Sequence, residues 1–250
     1  MKCLARALVP AVAGTGFGAM PATGTPVIKM KRGLQFQRAL LAALCAAASL
    51  FFTGSLSFAQ ENILVRGAML FAVGGCSNCH TDTKQKGKKL AGGHALKTPF
   101  GTFYSPNISP DKTHGIGGWS DDDFIQALRK GKGPDGRHFF PVFPYTSFTN
   151  MTDEDLKAIK AYIFTLPAVA QPNKPHDVGF PFNIRFAQYF WKLLFFTEGP
   201  FRPDPSKSPE WNRGAYLATA VAHCAECHTP RNFMGGLDRN RWMAGTEKGK

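Results

Sequence analysis

Cysteine is scarce in this chain, and its placement leaves almost none to spare. Of the six in 250 residues, Cys3 and Cys45 lie in the first sixty positions, and the other four sit in two five-residue words. With the N-terminal stretch removed, no cysteine is left for a disulfide or a free nucleophile, which excludes a disulfide-stapled fold. Acids are few as well, 17 Asp and Glu against 30 Lys and Arg, for a net charge of +13. Long apolar runs are missing. The two candidates, Ala39 to Phe52 and Ile184 to Phe196, both fall short of the ~20 residues that a membrane-spanning helix needs.

What is present is two copies of one word, Cys76-Ser77-Asn78-Cys79-His80 and Cys224-Ala225-Glu226-Cys227-His228. In a C-x-x-C-H word the two sulfurs can form thioethers to the vinyl groups of a haem, and the adjacent histidine reaches the iron. The expectation is two covalent haem c groups. Cys76, Cys79 and His80 hold the first and Cys224, Cys227 and His228 the second, with His80 and His228 as proximal iron ligands. C-x-x-C pairs also build zinc sites, and two could make one Cys₄ site. The histidine directly after both pairs and the want of further ligand clusters favour haem. For the sixth position on the first iron the candidates are Met151 and His138. Methionine there raises the potential, histidine lowers it, and an empty position admits ligand chemistry. Met69, on the approach to the first word, reads as a packing residue.

The words are embedded in a repeat. Arg66-Gly67-Ala68-Met69-Leu70 stands ten residues before Cys76, and Arg213-Gly214-Ala215-Tyr216-Leu217 stands eleven before Cys224. In each copy a short helix is expected to run into the haem word. Ser120 with Asp123 signs a helix Phe124 to Lys130 that Gly131 stops, and Thr152 with Asp155 caps another from Leu156 to Leu166, with Pro167 beyond. The fold expected is mainly α, two tandem class I cytochrome c-type domains, the second cut short. Its parts are residues 1–59 as leader, 60–169 as first domain, 170–208 as a Pro- and aromatic-rich interdomain segment, and 209–250 as an incomplete second domain. Within the segment, Arg185, Gln188 and Lys192 form a polar stripe on an otherwise apolar helix. That helix is either sandwiched between the domains or a docking and membrane-surface element over 184–196.

The leader reads as an export signal. Lys31, Arg32 and Arg38 form a basic region, Ala39 to Phe52 an apolar one, and Ser57-Phe58-Ala59 supplies small residues for cleavage after Ala59. An uncleaved anchor is the rival, and Met30 is an alternative start. Export suits thioether attachment, which in bacteria takes place outside the cytoplasmic membrane, so the mature chain is expected in the periplasm or on the periplasmic face of that membrane. Taking Lys2, Arg6, Lys29, Lys31, Arg32 and Arg38 from +13 leaves +7. Nucleic acid is not an expected partner. Lys84, Lys86, Lys88 and Lys89, beside the first word, are candidate contacts for an acidic redox partner, or simply a solvated loop.

Several stretches carry a resemblance: Ser105-Pro106-Asn107-Ile108, Gly115-Ile116-Gly117-Gly118-Trp119-Ser120, Pro134-Asp135-Gly136, Met151-Thr152-Asp153-Glu154-Asp155, Phe182-Asn183-Ile184-Arg185, Trp211-Asn212-Arg213-Gly214 and His228-Thr229-Pro230-Arg231-Asn232. Over about Val65 to Gly236 the chain resembles the cytochrome c subunits of membrane-bound, quinone-linked alcohol and gluconate dehydrogenases and their smaller dihaem relatives. The resemblance implies electron transfer from a dehydrogenase subunit to quinone, an oxidase or another cytochrome, with no substrate chemistry in the chain itself. The alternative is a dihaem oxidoreductase of thiosulfate or peroxide type with one open iron. Two departures bear on this. The family often has methionine between the prolines of Pro-x-Met-Pro-Tyr, where Phe143 stands here, and its larger members carry three haem words. After His228 only Met234 and Met243 remain as sulfur donors, and Met243-Ala244-Gly245 matches Leu90-Ala91-Gly92, a loop that precedes any distal ligand.

Overall fold

The computed structural model describes residues 62–246. The expected export signal, its cleavage site at Ala59 and the alternative start at Met30 lie outside the described residues.

The first helix, α1, is helical over 62–73 and turns through Gly74 and Gly75 into α2, Cys76–His80. Two further helices close on α1. α3 (Asp121–Lys130) opens with the capping box read from Ser120 and Asp123 and ends at Gly131, whose φ of 58° suits a residue without a Cβ. A short helix α4 (Tyr145–Phe148) follows, and α5 (Asp153–Ile163) starts from Thr152, whose hydroxyl accepts the Asp155 N–H at 3.2 Å. Leu70, Met151 and Leu156 are fully buried among these helices, each such side chain contributing about 1.5–3 kcal/mol through removal from water. α1 crosses α5 closely. A Cβ on Gly67 would lie 2.0 Å from the Ala158 carbonyl oxygen.

Beside the helices, as the mainly helical expectation allows, lies one small antiparallel sheet. β1 (Ala95–Thr98), β2 (Gly101–Tyr104) and β3 (Asp177–Val178) pair in that order, with Ala95 opposite Tyr104 and Gly101 opposite Val178. Strands of four, four and two residues are too short to show a period of two. The start of the 170–208 segment therefore packs against the strands and loop around Tyr104 and Asn107. Besides β3, the Asn107 side-chain amide donates to the Val169 and Gln171 carbonyls at 2.7 and 3.0 Å, and Tyr104 N–H donates to His176 Nδ1 at 3.1 Å.

The helix inside that segment is α6 (Ala187–Phe195). Its polar stripe faces the protein: Lys192 is buried and donates to the Lys130 and Gly131 carbonyls at 2.6 and 2.8 Å, while Arg185 donates to the His138 carbonyl at 3.1 Å. Its apolar residues face outward, Phe186, Leu193 and Leu194 being 66–68% exposed. The stripe was visible in the sequence, but which face meets protein is decided by acceptors at the C-terminal end of α3 that no local pattern reveals.

α7 (Pro209–Tyr216), capped by Ser208, continues through a π-helical turn Leu217–Val221 before α8 (Ala225–His228). A π-turn absorbs one extra residue in a helix, which accounts for eleven residues before Cys224 where the first copy has ten. Tyr216, Ala220 and Val221 join one core with Leu70 and Phe71 of α1. Among the described residues no helix is long and apolar enough to cross a membrane.

Candidate haem sites

In α2 the side chains of Cys76, Cys79 and His80 fall at positions i, i+3 and i+4, which share one helical face. The His80 ring is fixed from behind: Nδ1–H donates to the Pro106 carbonyl at 2.8 Å, leaving Nε2 as the free nitrogen. Burial pushes the His80 imidazole below its ordinary pKa, against the opposing pull of the Pro106 carbonyl, which favours the neutral ring. The Pro106 loop is held near by Gly92, where a Cβ would lie 2.5 Å from both the Ser105 oxygen and the Pro106 carbonyl carbon. Burial also pushes the Cys76 thiol up to about 12 and raises Cys79, the latter helped by neighbouring Cys227. Two free sulfurs and a neutral imidazole with an anchored Nδ1 form a donor set that fits covalent haem. Among the described residues, no three His, Cys, Asp or Glu side chains converge as a metal cage.

The second word is built on the same plan. His80 and His228 carbonyls accept from Gly92 and Gly245 N–H at 2.9 and 2.8 Å. Thr81 Oγ1 accepts the Leu90 N–H at 3.1 Å, and Thr229 Oγ1 accepts the Met243 N–H at 3.0 Å. Leu90 and Met243 both adopt left-handed backbone, with φ of 62° and 57°. The match of Leu90-Ala91-Gly92 with Met243-Ala244-Gly245 is thus a repeated loop geometry.

The two words are neighbours. His223, immediately before Cys224, donates Nε2–H to the Gly74 carbonyl at 3.2 Å, and the Val221 carbonyl lies 3.5 Å from where a Gly74 Cβ would stand. The repeated arginines meet at one carboxylate. Asp155, buried on α5, accepts from Arg66 at 2.5 Å and from the Tyr216 hydroxyl at 2.5 Å, with Arg213 at 4.0 Å. Burial, and then the hydrogen bond to Asp155, pushes Tyr216 up to about 12.

Met151 is fully buried in the core three residues past α4, its carbonyl held by Arg129 at 2.8 Å. His138 lies at the α6 contact, where Lys192 Nζ donates to its Nδ1 at 3.1 Å. Phe143 packs edge-on to Phe139 and tilted against Phe148. Lys84, Lys86, Lys88 and Lys89 are all exposed on the loop after the first word.

Residues 64–167 match the family model for cytochrome c, and this stretch of the chain, which contains the first haem word, is a cytochrome c domain. The chain is 46% identical over 184 residues to a "Diheme cytochrome c-type" protein of Cereibacter sphaeroides, covering 72% of this chain and 62% of the relative. It is 42% identical over 193 residues to the fructose dehydrogenase cytochrome subunit of Gluconobacter japonicus, covering 76% and 40%. It is 39% identical over 189 residues to the gluconate 2-dehydrogenase cytochrome c subunit of Pantoea cypripedii, covering 72% and 42%. The aligned stretches thus span from two-fifths to about three-fifths of these relatives' length.

Three residues escaped the sequence reading. Pro106, which orients His80, carries no side-chain signal, because its carbonyl does the work. Asp155 reads as a capping residue, yet its carboxylate turns to the arginines; the duplicated Arg66 and Arg213 were the available hint of a shared acid. Glu226 fills a variable position of the second word, and nothing local marks its contacts, given below.

Proposed function

We propose that the chain is a two-haem electron carrier on the periplasmic face of the bacterial cytoplasmic membrane, accepting electrons from a dehydrogenase subunit and delivering them to quinone, an oxidase or another cytochrome. The observation that carries this reading is the packing of two C-x-x-C-H helices against each other, with His223 bonded to Gly74 and Cys227 beside Cys79. Relatives named as dehydrogenase cytochrome subunits support the donor; the thiosulfate- or peroxide-type alternative gains nothing from them.

Haem, when bound, supplies one-electron redox chemistry. The chain's own residues attach it through Cys76, Cys79, Cys224 and Cys227, orient the His80 ring through Pro106, and keep water away through the core around Leu70, Leu90 and Phe148. In this reading Met151 is the sixth ligand of the first haem. It is preferred to His138 because an ammonium only donates: Nδ1 of His138 must accept from Lys192, so Nε2 carries the proton and has no lone pair for iron. Residues 209–246 carry a second haem-attachment unit, supported by the repeated Thr229 and Met243 loop. The outward apolar face of α6 supports association with the membrane surface, and the four lysines after the first word suit an acidic partner.

The test is haem content and redox state of the purified mature protein. Two haems per chain, both reduced by a quinone-linked dehydrogenase preparation, are expected. One haem per chain, or two that no such dehydrogenase reduces, overturns the reading.

A further inference from the structure

Glu226 sits inside the second attachment word, yet its carboxylate reaches across to the first domain. Oε1 accepts from the hydroxyls of both Thr146 and Ser147, the latter at 2.9 Å, and Oε2 pairs with Arg231 at 2.6 Å. The Glu226 side chain is 7% exposed and Ser147 is buried. Thr146 and Ser147 lie on α4, the four-residue helix between Phe143 and Met151. α4 is gripped a second time by the residue just before that word, where the Phe148 ring meets the His223 ring edge-on at 5.4 Å. Toward Met151 the chain is continuous and tight, because Met151 N–H donates to the Phe148 carbonyl at 3.0 Å. Tyr145, the first residue of α4, has a buried hydroxyl that meets no partner among the described residues, and burial, then the nearby Glu226 charge, raises its pKa.

A charged acceptor taking two hydroxyl protons in a nearly dry contact is among the stronger anchors available to a short helix. A four-residue helix cannot hold itself in place. We propose that Glu226 is a positioning residue for the first haem: through Thr146 and Ser147 it fixes α4, and so places Met151, which makes the second attachment word a structural part of the first haem's distal side. The proposal rests on the reading of Met151 as sixth ligand.

The test uses the full-length two-haem protein with Glu226→Ala, Glu226→Gln, the double variant Thr146→Val with Ser147→Ala, and Met151→Ala. Two readouts are followed: the rate at which imidazole displaces the sulfur-to-ferric-iron charge-transfer band, and amide hydrogen exchange over 145–151. Glu226→Ala and the double variant are expected to speed both by roughly tenfold, the scale of one lost charged hydrogen bond. Glu226→Gln, which keeps an acceptor oxygen but loses the charge and the pairing with Arg231, is expected to fall between wild type and Glu226→Ala. Wild-type displacement and exchange in Glu226→Ala overturn the positioning role, and so does an effect in Glu226→Ala that the double variant fails to reproduce. A charge-transfer band that survives Met151→Ala overturns the ligand reading instead, and the positioning proposal with it.

Discussion

At the scale of single residues, Asp155 concentrates the most consequence. One buried carboxylate serves an arginine from each copy of the repeat, and Tyr216 as well. Arg66 and Arg213 are 46% and 44% exposed, so they can rehydrate when the acid is lost, whereas Tyr216 loses a buried acceptor. Asp155→Ala is therefore expected to cost about 2–4 kcal/mol, read as a drop in Tm of about 5–15 °C. A change within 2 °C, roughly the effect of a neutral surface substitution, would show that the network carries no net stability. The candidate haem-attachment residues were named from spacing alone, because thioether chemistry demands that order of side chains. Asp155, Pro106 and Glu226 were not, since each acts through a partner at least 26 positions away.

At the scale of elements, the two pre-haem helices share a motif but not an environment. Gly67 lies where α1 touches α5, with the Ala158 carbonyl oxygen 2.0 Å from a would-be Cβ, whereas Gly214 in α7 has nothing within 4 Å. Alanine at 67 must push the helices apart and is expected to destabilise by about 2 kcal/mol or more. Alanine at 214 is expected to stabilise by roughly 0.5–1 kcal/mol through helix propensity. Denaturant midpoints of the two variants check this, and equal effects would contradict the difference in packing. The cap of α3 and its end at Gly131 were readable because Ser120, Asp123 and Gly131 act locally, although the helix begins at Asp121, three residues before the expected Phe124. The sheet and the orientation of α6 were not, because short strands and buried acceptors for Lys192 are set by tertiary contacts.

At the scale of the whole molecule, Lys192 ties α6 to the end of α3, and its charge is held at a cost. Burial, then the charge of Lys132, lowers its pKa from 10.5 to about 8, with Glu198 opposing. Between these values the unfolded chain keeps a proton that the folded one has released, so raising the pH through the window favours the fold. Relative to Lys192→Met, the wild-type protein is expected to gain about 1–2 kcal/mol from pH 8 to 10.5, after discounting for solvent screening. Parallel stability curves for the two proteins across that range would show that the lysine keeps its ordinary affinity for protons.

The loop that closes each haem word has a further consequence. From the threonine to the left-handed residue it bonds is 9 positions in the first copy and 14 in the second. The longer span contains the Arg231 to Leu237 bridge, and Arg231 is the cation that pairs with Glu226. The two spans thus differ by five positions, and the longer one carries the cation that pairs with the carboxylate reaching the other copy. A shortening of that span that takes out Arg231 would leave two like units side by side, each with its word intact, and with Glu226 deprived of its counter-charge.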